Sequence, residues 1–170
     1  MIIVLLGKSS SGKDTVAKIL SKTYEPVVYY TTRPMRKGEV NGKDFYFVTK
    51  EEFDKLDLLE KRVFHTKFGD WYYGTPLEIK DGSLIICSPE QYKLISDKYD
   101  CIAFYINVDF ESRYNAAIKR GDDANEFTSR EERDKPYFEK LENVIEINNN
   151  EYKYSPEELA ERIKKYLWEK

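Results

Sequence analysis

An α/β fold, in which helices cover both faces of a mostly parallel sheet, is predicted by three features of the sequence. Apolar runs typical of buried strands alternate with segments whose apolar residues recur at helical spacing. The first run, at residues 2–6, leads into a glycine- and serine-rich loop and then into a helical pattern. A basic, turn-rich stretch and aromatic strands interrupt the alternation after residue 31. Strands joined by right-handed helical crossovers form a three-layer arrangement.

The sheet core is predicted to comprise residues 1–31, 78–109 and 136–170. Within it, further strands are expected at 27–31, 84–87, 102–108 and 144–147. Two helices have clear start signals, because Ser88-Pro89 and Ser155-Pro156 each place a capping serine before a proline at the first helical position.

Residues 32–77 are predicted to form a small strand-rich insertion. An aromatic strand at 45–48 is followed by a capping box that begins at Thr49, which indicates a short helix. Residues 63–68 and 71–73 flank Gly69-Asp70 in the pattern of a β-hairpin.

Composition narrows the class of protein. The 170 residues include 28 Lys and Arg against 31 Asp and Glu, so no overall positive field would hold a nucleic-acid polymer. The longest apolar run is far shorter than the ~20 residues that span a bilayer. Cys87 and Cys101 lie in or beside apolar runs, as buried thiols do in a reducing compartment. We therefore expect a cytoplasmic protein without a membrane or polymeric nucleic-acid partner.

The loop between the first strand and the first helix matches the pattern G-x-x-x-x-G-K. Its glycines allow backbone N–H groups to point at phosphate oxygens, the helix N-terminus adds positive potential, and Lys13 adds a mobile charge. The pattern predicts a P-loop NTPase fold that binds the triphosphate tail of a nucleotide. The predicted ATP-binding residues are Gly7, Ser9, Ser10, Ser11, Gly12, Lys13, Asp14 and Thr15.

The residue after Lys13 departs from this pattern. Asp14 occupies the position where a Ser or Thr usually holds Mg²⁺. Thr15 offers a hydroxyl one residue later, turned by ~100° around the helix. Thr15 is therefore the predicted metal ligand.

A second phosphate site is indicated by Arg33 and Arg36, which lie three residues apart in a turn-rich loop suited to forked hydrogen bonding. Residues 31–44 read T-T-R-x-x-R-x-G-E-x-x-G-K-D. Together with Tyr72-Tyr73-Gly74-Thr75 and the glycine loop, this stretch closely resembles the guanylate kinase family. Members of that family are nucleoside monophosphate kinases with an ATP-binding core, a nucleotide-binding insertion and a mobile lid.

The resemblance implies that Arg33, Arg36 and Tyr73 hold the acceptor monophosphate and that Thr75 reaches its base. Other acceptor positions differ from the family. Phe45 replaces a phosphate-binding Tyr, and the guanine-reading Glu of the family falls near Phe64. Tyr29 replaces an early Ser, and an Asp-x-Asp strand end corresponds to the region of Ile86, Cys87 and Ser88. The sequence therefore leaves the acceptor base open.

Residues 110–135 are predicted to form a helical lid. Half of the eight arginines of the chain lie there, at positions 113, 120, 130 and 133. The resemblance implies that Arg120 and Arg130 stabilise the transferring phosphoryl group, with Arg133 as the substitute. The competing interpretation is salt bridging with the acidic residues of the same helices.

The leading prediction is ATP- and Mg²⁺-dependent phosphoryl transfer to a nucleoside monophosphate: GMP, dGMP or another. Lys13, Arg33, Arg120 and Arg130 are its predicted catalytic residues, and small nucleotides are its partners. One alternative is a kinase of a ribose bisphosphate or another small phosphate ester. A second is a non-catalytic guanylate-kinase-like module that binds phosphopeptides. Both a monomer and a homodimer are compatible with the sequence.

Overall fold

The computed structural model describes residues 1–66 and 69–169, which divide into two compact units. The first unit comprises Met1–Glu25 and Asp81–Lys170, and the second comprises Pro26–Lys80. The strands are β1 (Ile2–Leu6), β2 (Tyr30–Thr31), β3 (Tyr46–Phe47), β4 (Leu58–Thr66), β5 (Gly69–Pro76), β6 (Leu84–Ile86), β7 (Cys101–Asn107) and β8 (Ile145–Asn148). The helices are α1 (Lys13–Leu20), α2 (Lys50–Lys55), α3 (Pro89–Ser96), α4 (Phe110–Arg120), α5 (Ala124–Phe138) and α6 (Pro156–Trp168).

The first unit is built on a parallel sheet with the strand order β6-β1-β7-β8. Every residue of β1 is buried, as expected for a parallel sheet that is covered on both faces. Leu20 of α1 and Ile163 of α6 are fully buried in one core cluster with Phe104 of β7. The predicted α/β fold with a mostly parallel sheet is therefore confirmed.

The second unit contains its own sheet, with the order β3-β2-β5-β4. Tyr30 and Thr31 pair antiparallel with Gly74 and Tyr73, so β2 belongs to this sheet. The expectation that residues 27–31 lie in the core sheet was therefore wrong, and their strand is shorter than predicted. The aromatic strand expected at 45–48 is likewise limited to Tyr46–Phe47, because its parallel pairing with β2 covers only two residues.

The hairpin of β4 and β5 is longer than its predicted strands. Its register pairs Glu60 with Thr75 and Phe64 with Trp71. The last two residues of the predicted strand at 63–68, Lys67 and Phe68, lie outside the described residues. Gly74 allows close packing here, because a Cβ at this position would lie 2.3 Å from Leu58 Cδ1.

Helices α4 and α5 occupy the predicted lid segment and form part of the first unit. Each begins at an aspartate cap, Asp109 for α4 and Asp123 for α5, whose carboxylate accepts a backbone N–H of the first turn. Gly121, at φ 96°, ends α4 in the left-handed conformation. Helix α5 continues through Pro136, past the predicted lid boundary. No helix among the residues described is long and apolar enough to span a bilayer.

Candidate nucleotide-binding sites

The glycine loop follows β1 and leads directly into α1. Gly12 is the N-cap of α1 and has φ 85°, a conformation that glycine adopts without a Cβ penalty. At Gly7, a Cβ would lie 2.4 Å from Ser11 Oγ and 3.2 Å from the Ile106 carbonyl oxygen, so a side chain would not fit. In the described part of the chain, Ser11 Oγ is the one buried side-chain polar atom without a hydrogen-bond partner. A tightly curled loop with an unsatisfied buried hydroxyl is consistent with the predicted phosphate site.

The first turn of α1 contains the predicted metal ligand. Lys13 Nζ lies 3.3 Å from Asp14 Oδ2. Both Asp14 and Thr15 are exposed. Hydroxyl and carboxylate oxygens are the donor types that Mg²⁺ prefers, so this turn suits that ion chemically.

A partly buried cluster of charged side chains joins the loop to α4 and α5. Glu131 accepts hydrogen bonds from Lys8 Nζ at 2.6 Å and from Arg113 Nη1 at 2.8 Å. Arg113 is fully buried and also donates to the carbonyl oxygens of Val108, at 2.8 Å, and Ser9, at 3.4 Å. Burial raises the pKa of Glu131, but the hydrogen bonds from Arg113 and Lys8 outweigh it, so this pKa lies below its ordinary value. From the sequence, Glu131 was expected only among the acidic residues of the helix-surface salt bridges, because nothing in the local pattern marks a carboxylate that pairs with a buried arginine.

The predicted lid arginines have different surroundings. Arg120 Nη2 donates to Ser10 Oγ at 3.3 Å, and its guanidinium is paired with Asp122. Arg130 forms an i,i+4 ion pair with Glu126 at 2.6 Å. Arg133 Nε bonds to Asp134 at 3.0 Å. The structure therefore brings Arg120 to the glycine loop, whereas Arg130 and Arg133 form the helix-surface salt bridges of the competing interpretation.

In the second unit, Arg33 is buried and forms a two-pronged salt bridge. Its Nη1 and Nη2 donate to the two carboxylate oxygens of Glu39 at 3.1 and 2.7 Å. The backbone N–H of Arg36 donates to the same carboxylate at 2.6 Å, while the Arg36 side chain is exposed. The hydrogen bond from Arg33 is the largest cause that holds the pKa of Glu39 below its ordinary value. Glu39 thus fixes the loop, and Arg36 presents its guanidinium at the surface.

Tyr73 lies beside this loop in an aromatic cluster. Its ring packs edge-on against Phe45, with centroids 5.9 Å apart, and against Phe64 at 5.2 Å. The guanidinium of Arg33 lies 5.4 Å from the centroid of Phe45. A hydrogen bond with Tyr73 also contributes to raising the pKa of Arg33, after that with Glu39. Arg33 and Tyr73 are therefore neighbours, as the acceptor site requires.

Thr75 is buried on β5 opposite a carboxylate. Its hydroxyl donates to Glu60 Oε2 at 3.3 Å across the hairpin, and Glu60 is also paired with Arg62. The resemblance placed the guanine-reading Glu of the family near Phe64, which is half exposed and lies further along β4 than Glu60. The resemblance alone had placed no carboxylate at the Glu position of the family. The hairpin register places the Glu60 carboxylate beside Thr75. The signal in the sequence was the Leu58-Leu59-Glu60 start of a longer strand.

Comparison with known proteins agrees with this geometry. The guanylate kinase family model matches residues 1–166. The guanylate kinase of Mycoplasmopsis pulmonis is 34% identical over an alignment that covers 99% of this chain and 94% of that protein. That of Lactiplantibacillus plantarum is 46% identical over 88 residues, which are 49% of this chain and 43% of that protein.

A solved structure shows the same fold. The guanylate kinase from Anaplasma phagocytophilum superposes with a TM-score of 0.67 at 24% identity, covering 98% of this chain and 84% of that chain. The fold, the glycine loop and the match over residues 1–166 agree with one another. This chain therefore belongs to the guanylate kinase family of nucleoside monophosphate kinases.

Proposed function

We propose that this protein transfers the γ-phosphoryl group of ATP to GMP. The observation that supports this acceptor is the Glu60–Thr75 pair in the same unit as Arg33, Arg36 and Tyr73. Guanine presents adjacent N–H donors on its pairing edge, and a carboxylate is an acceptor-only group that matches them. A site built on such hydrogen bonds rejects a base that lacks the donors by ~10⁴ or more.

The residues have distinct roles in this transfer. The glycine loop and Lys13 hold the ATP phosphates, while Arg33, Arg36 and Tyr73 hold the phosphate of GMP. The Glu39 carboxylate orients the guanidinium of Arg33. Arg120 neutralises charge on the transferring group, and Arg130 adds a second positive charge after leaving Glu126. The acceptor phosphate attacks as an anion, so positioning and charge neutralisation suffice without a side-chain base.

Mg²⁺ is the ion that this reaction class uses, and the first turn of α1 fits it. Thr15, with Asp14 beside it, would supply protein oxygen atoms. When bound with ATP, the ion neutralises charge on the β- and γ-phosphates.

We place this reaction in the cytoplasm, with small nucleotides as the partners. Cys87 and Cys101 are both reduced, and burial raises the pKa of Cys101, which favours its unreactive protonated form. The net charge of −3 gives no support for a nucleic-acid polymer as a partner. The protein acts as a monomer or a homodimer, which sedimentation analysis would distinguish.

The test is ADP release from ATP and Mg²⁺ with a panel of acceptors: GMP, dGMP, AMP, CMP, UMP, dTMP and ribose 1,5-bisphosphate. We expect turnover with GMP and dGMP. Selective turnover of ribose 1,5-bisphosphate would instead establish the sugar-phosphate alternative. No turnover with any acceptor, combined with phosphopeptide binding, would establish the non-catalytic alternative.

The role of Glu60 is tested by Glu60→Gln, which keeps the shape of the side chain but replaces one acceptor oxygen with a donor. We expect kcat/KM for GMP to fall by about 100-fold, with the KM for ATP unchanged. Glu51→Gln is the matched control, because Glu51 is an exposed carboxylate in the same unit. Equal activity of Glu60→Gln and the control would remove Glu60 from the acceptor site.

A further inference from the structure

Two segments of the first unit with strained backbone meet at one hydrogen bond. Ser10 in the glycine loop has φ 62°, and Glu151 and Tyr152 have φ 56° and 52°. Residues other than glycine rarely adopt this left-handed backbone conformation, and such strain persists only where the surrounding structure enforces it. The Tyr152 hydroxyl donates to the Ser10 carbonyl oxygen at 2.6 Å, although 142 residues separate the two.

The turn that carries Tyr152 is fixed from several directions. It follows β8 at Asn149, which is fully buried and whose backbone N–H donates to the Asn107 carbonyl at 2.7 Å. The side-chain amide of Asn149 bonds to both the backbone N–H and the carbonyl of Tyr154, at 2.7 and 3.2 Å. The N–H of Glu151 donates to Asp109 Oδ2 at 3.0 Å. These hydrogen bonds hold Glu151 and Tyr152 in the left-handed conformation and therefore fix the position of the Tyr152 side chain.

The hydrogen bond between Tyr152 and Ser10 lies in the part of the glycine loop where the direction of the backbone carbonyl groups affects phosphate binding. A phosphate-binding loop must turn its carbonyl oxygens away from the phosphates, because both carry negative charge. Tyr152 supplies a donor to the Ser10 carbonyl, while Arg120 holds the Ser10 hydroxyl. Burial raises the pKa of Tyr152, so its hydroxyl keeps the proton that this hydrogen bond needs.

We propose that Tyr152 is a positioning residue for the ATP phosphates, acting through the Ser10 carbonyl rather than by contact with the nucleoside. This inference rests on the proposed binding of ATP by the glycine loop. The strained turn holds the glycine loop in its phosphate-binding conformation before ATP binds. The free energy of binding then includes no entropic cost of ordering the loop.

The test uses Tyr152→Phe, which removes the hydroxyl and keeps the ring. Binding of ATP and of inorganic tripolyphosphate is measured by calorimetry on the full chain, without an acceptor. One lost hydrogen bond to the backbone predicts about 5- to 10-fold weaker binding of both probes. The KM for GMP should not change, and the thermal midpoint should fall by only about 2–4 °C, as for the loss of one hydrogen bond. Tyr154→Phe is the matched control, because Tyr154 lies on the same segment and bonds through its backbone.

Each outcome has a definite meaning. Equal weakening of ATP and tripolyphosphate binding in Tyr152→Phe alone supports the proposal. Unchanged binding of both probes overturns it. Weakening for ATP but not for tripolyphosphate also overturns it, because Tyr152 would then act on the nucleoside. If the wild-type protein binds neither probe, the failure is that of the proposed ATP site, which the wild-type titration reveals by itself.

Discussion

The glycine loop and the loop that carries Arg33, Arg36 and Glu39 (the Arg33 loop) are both proposed to hold phosphate. The first depends on the backbone, however, and the second depends on side chains. The glycine loop relies on backbone shape, with Gly12 at a positive φ and no space for a side chain at Gly7. The Arg33 loop relies on side chains, and its buried arginine is already matched by the Glu39 carboxylate. The comparison shows that the glycine loop takes its shape from its backbone conformation. The Arg33 loop instead takes its shape from an ion pair between a buried arginine and a carboxylate.

The largest expected effect tests the mobile charge of the glycine loop. Lys13→Ala removes the cation that we propose bridges the donor phosphates, and we expect kcat/KM to fall by roughly 10³-fold or more. The thermal midpoint should stay the same, because Lys13 lies at the start of α1. Lys18→Ala, an exposed position on the same helix, is the control. Steady-state kinetics check the result, and turnover equal to that of the control would exclude Lys13 from catalysis.

The second effect concerns the buried charges behind the loop. Glu131→Gln leaves the fully buried Arg113 without its carboxylate, which should lower the free energy of unfolding by about 3 kcal/mol. Urea denaturation measures the change. The exposed neighbour Glu132 provides the control variant Glu132→Gln, for which a change below about 0.5 kcal/mol is expected. A similar loss for both variants would show that the cluster does not stabilise the fold specifically.

The third effect concerns the Arg36 side chain, which is proposed to hold the acceptor phosphate. Arg36→Ala removes the exposed guanidinium but leaves its backbone bond to Glu39. We expect the KM for GMP to rise by about 10-fold, with the KM for ATP unchanged. Lys37→Ala removes an adjacent exposed cation and serves as the control. An unchanged KM for GMP in Arg36→Ala would contradict the placement of the acceptor phosphate here.

The smallest effect is a pH dependence of stability. Because the folded-state pKa of Glu131 lies below its ordinary value of 4.5, the ionised carboxylate stabilises the protein above about that pH. This contribution is lost as the pH falls through the folded-state pKa. Unfolding measured in urea between pH 6 and pH 3 should therefore show a steeper loss for the wild-type protein than for Glu131→Gln. Parallel curves would mean that other carboxylates account for acid unfolding.

Much of the first unit could be predicted from sequence, because its signals are local. The glycine loop, the buried strand before it and the capping serines of α3 and α6 are each specified within about ten consecutive residues. The second unit was predicted less accurately. Its short strands pair with partners far along the chain, so the membership of β2 depends on β5 and not on its own composition.

The α/β class, the glycine loop and the resemblance to guanylate kinases could be read from sequence alone, since contiguous motifs specify these properties. Which side chains contact one another became clear only from the three-dimensional fold. The hairpin register places Glu60 opposite Thr75, and the strained turn brings Tyr152 to Ser10. Side chains alternate between the two faces of a strand, so the length of a hairpin decides which residue reaches a site. Contacts between residues far apart in the chain depend on packing that no short motif encodes.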